Sequence, residues 1–224
     1  MALIQLKRSS TAGLVPLASE LEAGELAINT ADLELYAEDS VGSVVPVSRP
    51  AYPSVKPRSG AYQCGIVVNN SLTTRQMTAD RAYWYPWVCG RTVTVDRASI
   101  WVMTAVSSSL ARIGLYASDA DGWPAGSALY TSGDLNCATT GEKFDSASLT
   151  FRRGEQYWSV VHSSSTQTLR AVLRTEMVVI EPNPNTAYPA SQIYNSQTFS
   201  VGLPSTGSYT LENGNIPLVY WRTA

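Results

Sequence analysis

The feature that most constrains this chain is its punctuation: short apolar-alternating runs, broken every few residues by turn clusters, with no stretch of helical period. From Ser59 onward nine such runs follow one another: Tyr62 to Val68, Ala82 to Val88, Thr92 to Met103, Ala111 to Ala117, Ala128 to Thr131, Ala147 to Phe151, Gln156 to Val161, Thr168 to Leu173 and Ile216 to Trp221. Between them lie Asp119-Ala-Asp-Gly-Trp-Pro, Thr139-Thr-Gly-Glu and Glu212-Asn-Gly-Asn. Side chains on a strand alternate faces, so runs of this length, β-branched and aromatic, read as antiparallel strands of a sandwich. Pro182-Asn-Pro-Asn and Leu203-Pro-Ser-Thr-Gly-Ser mark long late loops. The expected fold class is all-β.

Composition supports this. Charged residues make up only 15% of the 224 residues, below the quarter usual in free soluble domains, which suits a packed assembly. The length holds one sandwich plus a small appendage, with a core large enough to need no metal or disulfide staple. A net charge of −2, with Arg152-Arg153 no more than a single basic pair, argues against nucleic-acid binding. No window approaches 18 apolar residues, so no membrane insertion is expected. Met1 to Gly13 lacks an apolar stretch of signal-peptide length.

The first 47 residues form a separate set of short runs. Leu3 to Lys7, Glu25 to Asn29, Leu33 to Ala37 and Gly42 to Val47 read as strands, and Leu17 to Ala23 as one helical turn ended by Gly24. A segment this small cannot bury its own apolar face, which points to a partner surface. Pro46, Pro50, Pro53 and Pro57 then recur every three or four residues. Proline fixes φ and removes a donor, so residues 48–58 read as an extended spacer between segment 1–47 and domain 59–224.

Ile4-Gln-Leu-Lys-Arg-Ser-Ser-Thr-Ala-Gly-Leu-Val-Pro16, then Gly24-Glu-Leu-Ala-Ile-Asn-Thr30, Leu35-Tyr36 and Gly42-Ser-Val-Val45, resemble the N-terminal regions of many tailed-phage fibre, spike and appendage proteins. The resemblance covers about residues 4 to 47. It departs from the pattern at one place: Leu33 follows Asp32 where the family usually has Gly, and a tight hairpin there wants positive φ. The resemblance implies virion attachment through Gly24, Glu25, Leu26, Ile28, Asn29, Leu35 and Tyr36. The partners it implies are other virion proteins and further copies of the chain, a trimer ahead of a pentamer.

A looser resemblance, carried by Tyr83-Trp-Tyr-Pro-Trp87, Ala111-Arg-Ile-Gly-Leu-Tyr116, Asp121-Gly-Trp-Pro-Ala-Gly126 and Gln156-Tyr-Trp-Ser-Val-Val161, is to jelly-roll-like sandwiches on phage appendages. It implies a structural or host-recognition role, with a bacterial surface glycan as the ligand.

Candidate ligand residues follow from exposure logic. Trp123 lies in a turn between Gly122 and Pro124, where a large aromatic ring is hard to explain by packing, and Asp119 and Asp121 flank it. The three could stack on and orient a sugar. Asp-Ala-Asp-Gly is also an ordinary turn, and it lacks the further oxygens of a calcium loop. Tyr83 and its neighbours could form a stacking platform, although alternating aromatics in a strand more often fill a core.

Enzymatic signatures are weak. His162, the only histidine, precedes Ser163, but sequence neighbours on a strand face opposite ways and no nucleophile elbow is present. Glu142, Asp145, Glu155, Glu176 and Glu181 form no recognisable carboxylate pair. Cys64, Cys89 and Cys137 lack metal-ligand spacing, and their odd count favours reduced thiols. Asn69-Asn-Ser71 fits a glycosylation pattern that means nothing in a phage setting. A non-enzymatic virion-surface protein without cofactor is the expectation. A purely structural adaptor and a polysaccharide-degrading enzyme are the alternatives.

Overall fold

The structure, a computed structural model, describes residues 6–11, 13–31, 33–47, 58–63, 72–174, 192–206 and 209–224. The chain divides into two compact units, one of Met1–Lys56 with Gly90–Thr92 and one of Pro57–Cys89 with Val93–Ala224. Apart from Arg58, the proline spacer expected at 48–58 lies outside the described residues, as does Cys64.

The first unit is a four-stranded sheet of β1 (Lys7–Ser9), β2 (Leu26–Asn29), β3 (Glu34–Glu38) and β4 (Val44–Pro46), hydrogen-bonded in that order. β1 runs parallel to β2, while β2–β3 and β3–β4 are antiparallel. Pro46, read from sequence as the first residue of the spacer series, instead ends β4 opposite Tyr36. A single 3-10 turn at Ala18–Glu20 stands where one helical turn was expected, and Gly24 follows with φ of +83°. The hairpin between β2 and β3 closes despite the missing glycine because Leu33 itself takes φ of +54°. The turn needs the left-handed conformation, and a leucine supplies it at a cost.

Period-2 alternation divides the first sheet into two faces. Ala27, Asn29 and Tyr36 are buried on one, with Leu21 also buried. Leu26, Ile28, Leu35, Ala37 and Val45 share the other face and are only half-buried.

The second unit is an antiparallel β-sandwich. One sheet has the order β10-β9-β13-β7-β15-β16 with β11 beside β9. Its strands are β7 (Arg81–Val88), β9 (Leu110–Ser118), β10 (Pro124–Thr131), β11 (Leu135–Asn136), β13 (Gln156–Ser163), β15 (Gln192–Ser196) and β16 (Thr210–Glu212). The other has the order β17-β14-β8-β18-β5 with β12 beside β8 and β6 beside β14. It comprises β5 (Tyr62–Gln63), β6 (Leu72–Gln76), β8 (Val93–Thr104), β12 (Gly141–Phe151), β14 (Thr168–Val172), β17 (Ile216–Pro217) and β18 (Tyr220–Thr223). The run Ile216 to Trp221 read as one strand is in fact two, β17 and β18, separated by Leu218 and Val219.

The core between the sheets is aromatic. Phe151 of one sheet meets Trp87 of the other edge-on at 4.9 Å, and Trp221 lies 5.2 Å from Phe151. Edge-to-face contacts of this kind add to simple area burial. Polar atoms among these rings are paired: the Ser159 hydroxyl accepts from the indole N–H of Trp87 at 2.9 Å and of Trp221 at 3.3 Å, and the Tyr85 hydroxyl accepts from the Val219 amide at 2.9 Å. Cys89 and Cys137 are buried, and burial pushes the Cys137 thiol up to about 11.

Candidate functional site

The outer face of the β7–β9–β13 sheet is not bare. β7 sends Tyr83, Tyr85 and Trp87 into the inter-sheet core and Ala82 and Trp84 outward. Trp84 is nonetheless fully buried. A strap formed by the chain after β15 crosses this face and makes a second apolar cluster with Trp84, Tyr116, Trp158 and Val160.

Each anchor of the strap has a physical cause. The Gln197 amide donates to the Asp80 carbonyl at 2.9 Å and the Phe199 amide to the Asp80 carboxylate at 2.8 Å. The Tyr116 hydroxyl donates to the Pro204 carbonyl at 3.0 Å. Leu203 rests over Gly114, where a Cβ would come within 2.6 Å of its Cδ1. Glycine at this point of β9 lets the Leu203 side chain settle against the strand; a larger residue would make its end shift. Burial and the Pro204 contact surround Tyr116, and desolvation raises its phenol to about 12.

The turn before β10 folds onto the same cluster. Asp119 Oδ1 accepts from the Asp121 amide at 3.0 Å and the Trp123 amide at 2.8 Å. From β13 below, Trp158 Nε1 donates to the Gly122 carbonyl at 3.0 Å and Gln156 Nε2 donates to it at 2.6 Å. The Trp123 ring is therefore held nearly parallel to Trp158, 6.2 Å away and 14° off, and to Tyr209, 6.4 Å away and 11° off.

These contacts show where the sequence-level candidates sit. Trp123 is a half-buried ring in an aromatic row, not a projecting loop tip, because its packing partners come from distant parts of the chain. Asp119 spends one carboxylate oxygen on the turn amides, while Asp121 is exposed at the turn. Tyr83 is 0% exposed, with the Arg75 guanidinium 4.2 Å over its ring and its hydroxyl on Thr78, so it offers no face to a sugar.

Two contiguous hollows flank Tyr209. One, of about 690 Å³, includes Tyr194, Asn195 and Ser205 in its lining; the other, of about 580 Å³, includes Asp119, Trp123 and Ile193. Thr206 and Tyr209 belong to both. The sequence singled out Trp123 but gave no signal for Tyr209 or Tyr194.

The catalytic candidates among the described residues are engaged in bonds within the fold. His162 is 0% exposed, with Nε2 2.9 Å from the Gln197 carbonyl, and desolvation lowers its pKa below the ordinary imidazole value. Glu142 accepts from Tyr62, Asp145 from Tyr130 and the Gly133 amide, and Glu155 from Tyr157. Glu176 and Glu181 lie outside the described residues. Among the described residues no three His, Cys, Asp or Glu side chains gather as a metal site. None of their helices is long and apolar enough to cross a membrane.

In the first unit the motif residues divide by role. Asn29 is 1% exposed; its amide nitrogen donates to the Thr11 and Leu14 carbonyls at 2.8 and 2.9 Å, and its oxygen accepts from the Ala31 amide at 2.9 Å. Glu25 pairs with Lys7 at 2.8 Å and accepts from the Glu22 amide, which together hold its carboxyl below the usual range. The Gly24 amide donates to the Glu38 carbonyl, and buried Tyr36 donates its hydroxyl to Glu34. These four hold the unit together. Leu26, Ile28 and Leu35, by contrast, remain half-exposed on the opposite face.

No family model matches the chain. A stretch of 45 residues, 20% of the chain, is 49% identical to part of the "Long tail fiber protein Gp37" of Enterobacteria phage T2. That stretch spans 3% of the tail fibre protein's length. The partial similarity supports a phage fibre-like protein associated with a virion.

Proposed function

We propose that the chain is a non-enzymatic virion appendage, anchored to the particle through its first unit and presenting the sandwich to a bacterial surface polysaccharide. The observation that carries the anchoring role is the uneven distribution of exposed apolar side chains. Of fourteen exposed large hydrophobics among the described residues, six (Leu14, Val15, Leu17, Leu33, Val41 and Val47) fall within the first 47 positions. Among the described residues there, Leu21, Ala27 and Tyr36 form the buried apolar set. A unit with so little core and so much exposed apolar surface gains most from a partner surface. Further copies of the chain, as a trimer or pentamer, and neighbouring virion proteins are the partners this reading calls for. Oligomeric display would turn weak individual sugar contacts into firm attachment by avidity.

One observation favours the purely structural adaptor as the second reading. On the sheet containing β8 and β12, Trp101 is 44% and Phe144 51% exposed, and Arg97 lies 3.9 Å over the Phe144 ring. Such an aromatic–arginine surface also suits a protein partner.

The test is particle incorporation of the full chain carrying Leu17→Asp and Val41→Asp, two exposed positions outside the strands. The double variant should fold and fail to join particles. Normal incorporation would refute anchoring through this unit. Particles that lack the chain but still adsorb fully to host cells would favour the structural reading.

A further inference from the structure

We propose that the cleft on both sides of Tyr209, from Tyr194 to Trp123, binds a run of uncharged pyranose rings from a polysaccharide chain. This rests on the appendage reading above and gives it a place and a ligand class.

Three observations lead there. The first is ring geometry. Trp123 and Tyr209 are near-parallel and 6.4 Å apart, and neither is free to turn away: Trp123 is backed by Trp158, while Tyr209 packs edge-on to Trp84 at 5.7 Å and donates its hydroxyl to the Pro124 carbonyl. Both remain half-exposed above a fully buried cluster. Fixed aromatic rings at a surface suit the apolar faces of successive sugars, and fixing them beforehand lowers the entropy cost of binding.

The second is lining chemistry. Beside the aromatics stand hydroxyl and amide groups, Thr206 and Asn195 among them, with Asp119 the one carboxylate and no lysine or arginine among the described lining residues. The nearby Arg81 lies 4.3 Å over the Tyr194 ring. Neutral donors and acceptors match sugar hydroxyls, whereas an acidic polysaccharide would call for cations. The third is shape. Hollows of about 690 and 580 Å³ that share Thr206 and Tyr209 give an open trough, suited to the interior of a chain rather than to a single terminal sugar.

The experiment is binding of the full chain, displayed multivalently on beads, to a microarray of purified neutral and acidic bacterial surface polysaccharides. Three variants are run beside it. Ser205→Trp fills the trough from an exposed position, Tyr209→Ala removes a ring, and Trp101→Ala alters the opposite sheet. Wild-type and Trp101→Ala protein should retain neutral polysaccharides, and both trough variants should lose at least ten-fold in apparent affinity. Ser205→Trp keeps the test valid if Tyr209→Ala fails to fold.

Retained binding in Ser205→Trp overturns the trough but leaves the appendage reading intact. Binding only to acidic polysaccharides overturns the ligand class. Absence of all polysaccharide binding, with normal particle incorporation, overturns both the trough and the receptor role.

Discussion

The two units solve the problem of burial in opposite ways. The sandwich surrounds Trp221, Trp158, Phe151 and Tyr85 with other apolar groups until almost nothing of them is exposed. Among its described residues the first unit has three buried apolar side chains and is held by polar pins: Asn29 across three bonds, the Lys7–Glu25 pair, and Asp39, whose carboxylate caps the Val41 and Ser43 amides. Hydrogen bonds fix geometry but contribute about 1 kcal/mol each, whereas burial of a large side chain contributes about 1.5–3 kcal/mol. A unit built mainly on pins has a defined shape with little stability of its own. That is the property an attachment segment needs if its partner is to complete it.

The largest effect tests the sandwich side of this contrast. Trp221→Ala should destabilise the second unit by about 3–5 kcal/mol, read by denaturant unfolding followed through the remaining tryptophans. A loss below about 1 kcal/mol would mean that the aromatic core is not what holds the sheets together. The next tests the pins. Asn29→Ala takes away the side-chain donor to the Leu14 carbonyl and one of the two donors to the Thr11 carbonyl, so it should cost about 2 kcal/mol and expose residues 6–47 to proteolysis while the sandwich resists. Equal sensitivity of both units would break the comparison.

Leu33→Gly should act the other way. Leu33 is 80% exposed with φ of +54°, so it contributes little packing and bears the left-handed penalty. Glycine should stabilise the first unit by about 1 kcal/mol. A destabilised variant would mean that Leu33 already contacts a partner in the form tested.

The smallest effect concerns pH. Burial lowers the His162 pKa, with the Arg112 charge acting the same way and Asp80 opposing both. The folded chain therefore binds this proton less readily than the unfolded one. Stability from this source is complete above the ordinary imidazole value and is lost as pH falls from there towards the lowered native value. His162→Gln should flatten the stability–pH curve in that window alone; an unchanged curve would place the pH dependence elsewhere.

How much of this was legible in the sequence also divides by region. Strands β7, β8, β9 and β13 could be read because their alternation reports faces buried against other sheets. β6, Leu-Thr-Thr-Arg-Gln, could not: its support is tertiary, through pairing with β14 and through Arg75, which reaches Glu212 at 3.4 Å and the Asn215 carbonyl at 2.7 Å. β15 was missed for a similar reason. Its buried Gln192 donates its side-chain amide to the Gly214 and Asn215 carbonyls, contacts invisible to local pattern. The need for positive φ after Asp32 was visible in the motif, and Leu33 meets it. The row Trp158–Trp123–Tyr209 was not visible, since rings from three separated segments meet only once the strap is in place.

The central claim is that the first unit is completed by a partner on the particle. Hydrogen exchange on the full chain, compared between free protein and assembled particles, tests it directly. The amides of Leu26–Asn29 and Glu34–Glu38 should exchange at least ten-fold more slowly after assembly, with those of Leu110–Ser118 and Gln156–Ser163 unchanged. Unchanged exchange in the first unit, with new protection confined to the sandwich, would contradict the account.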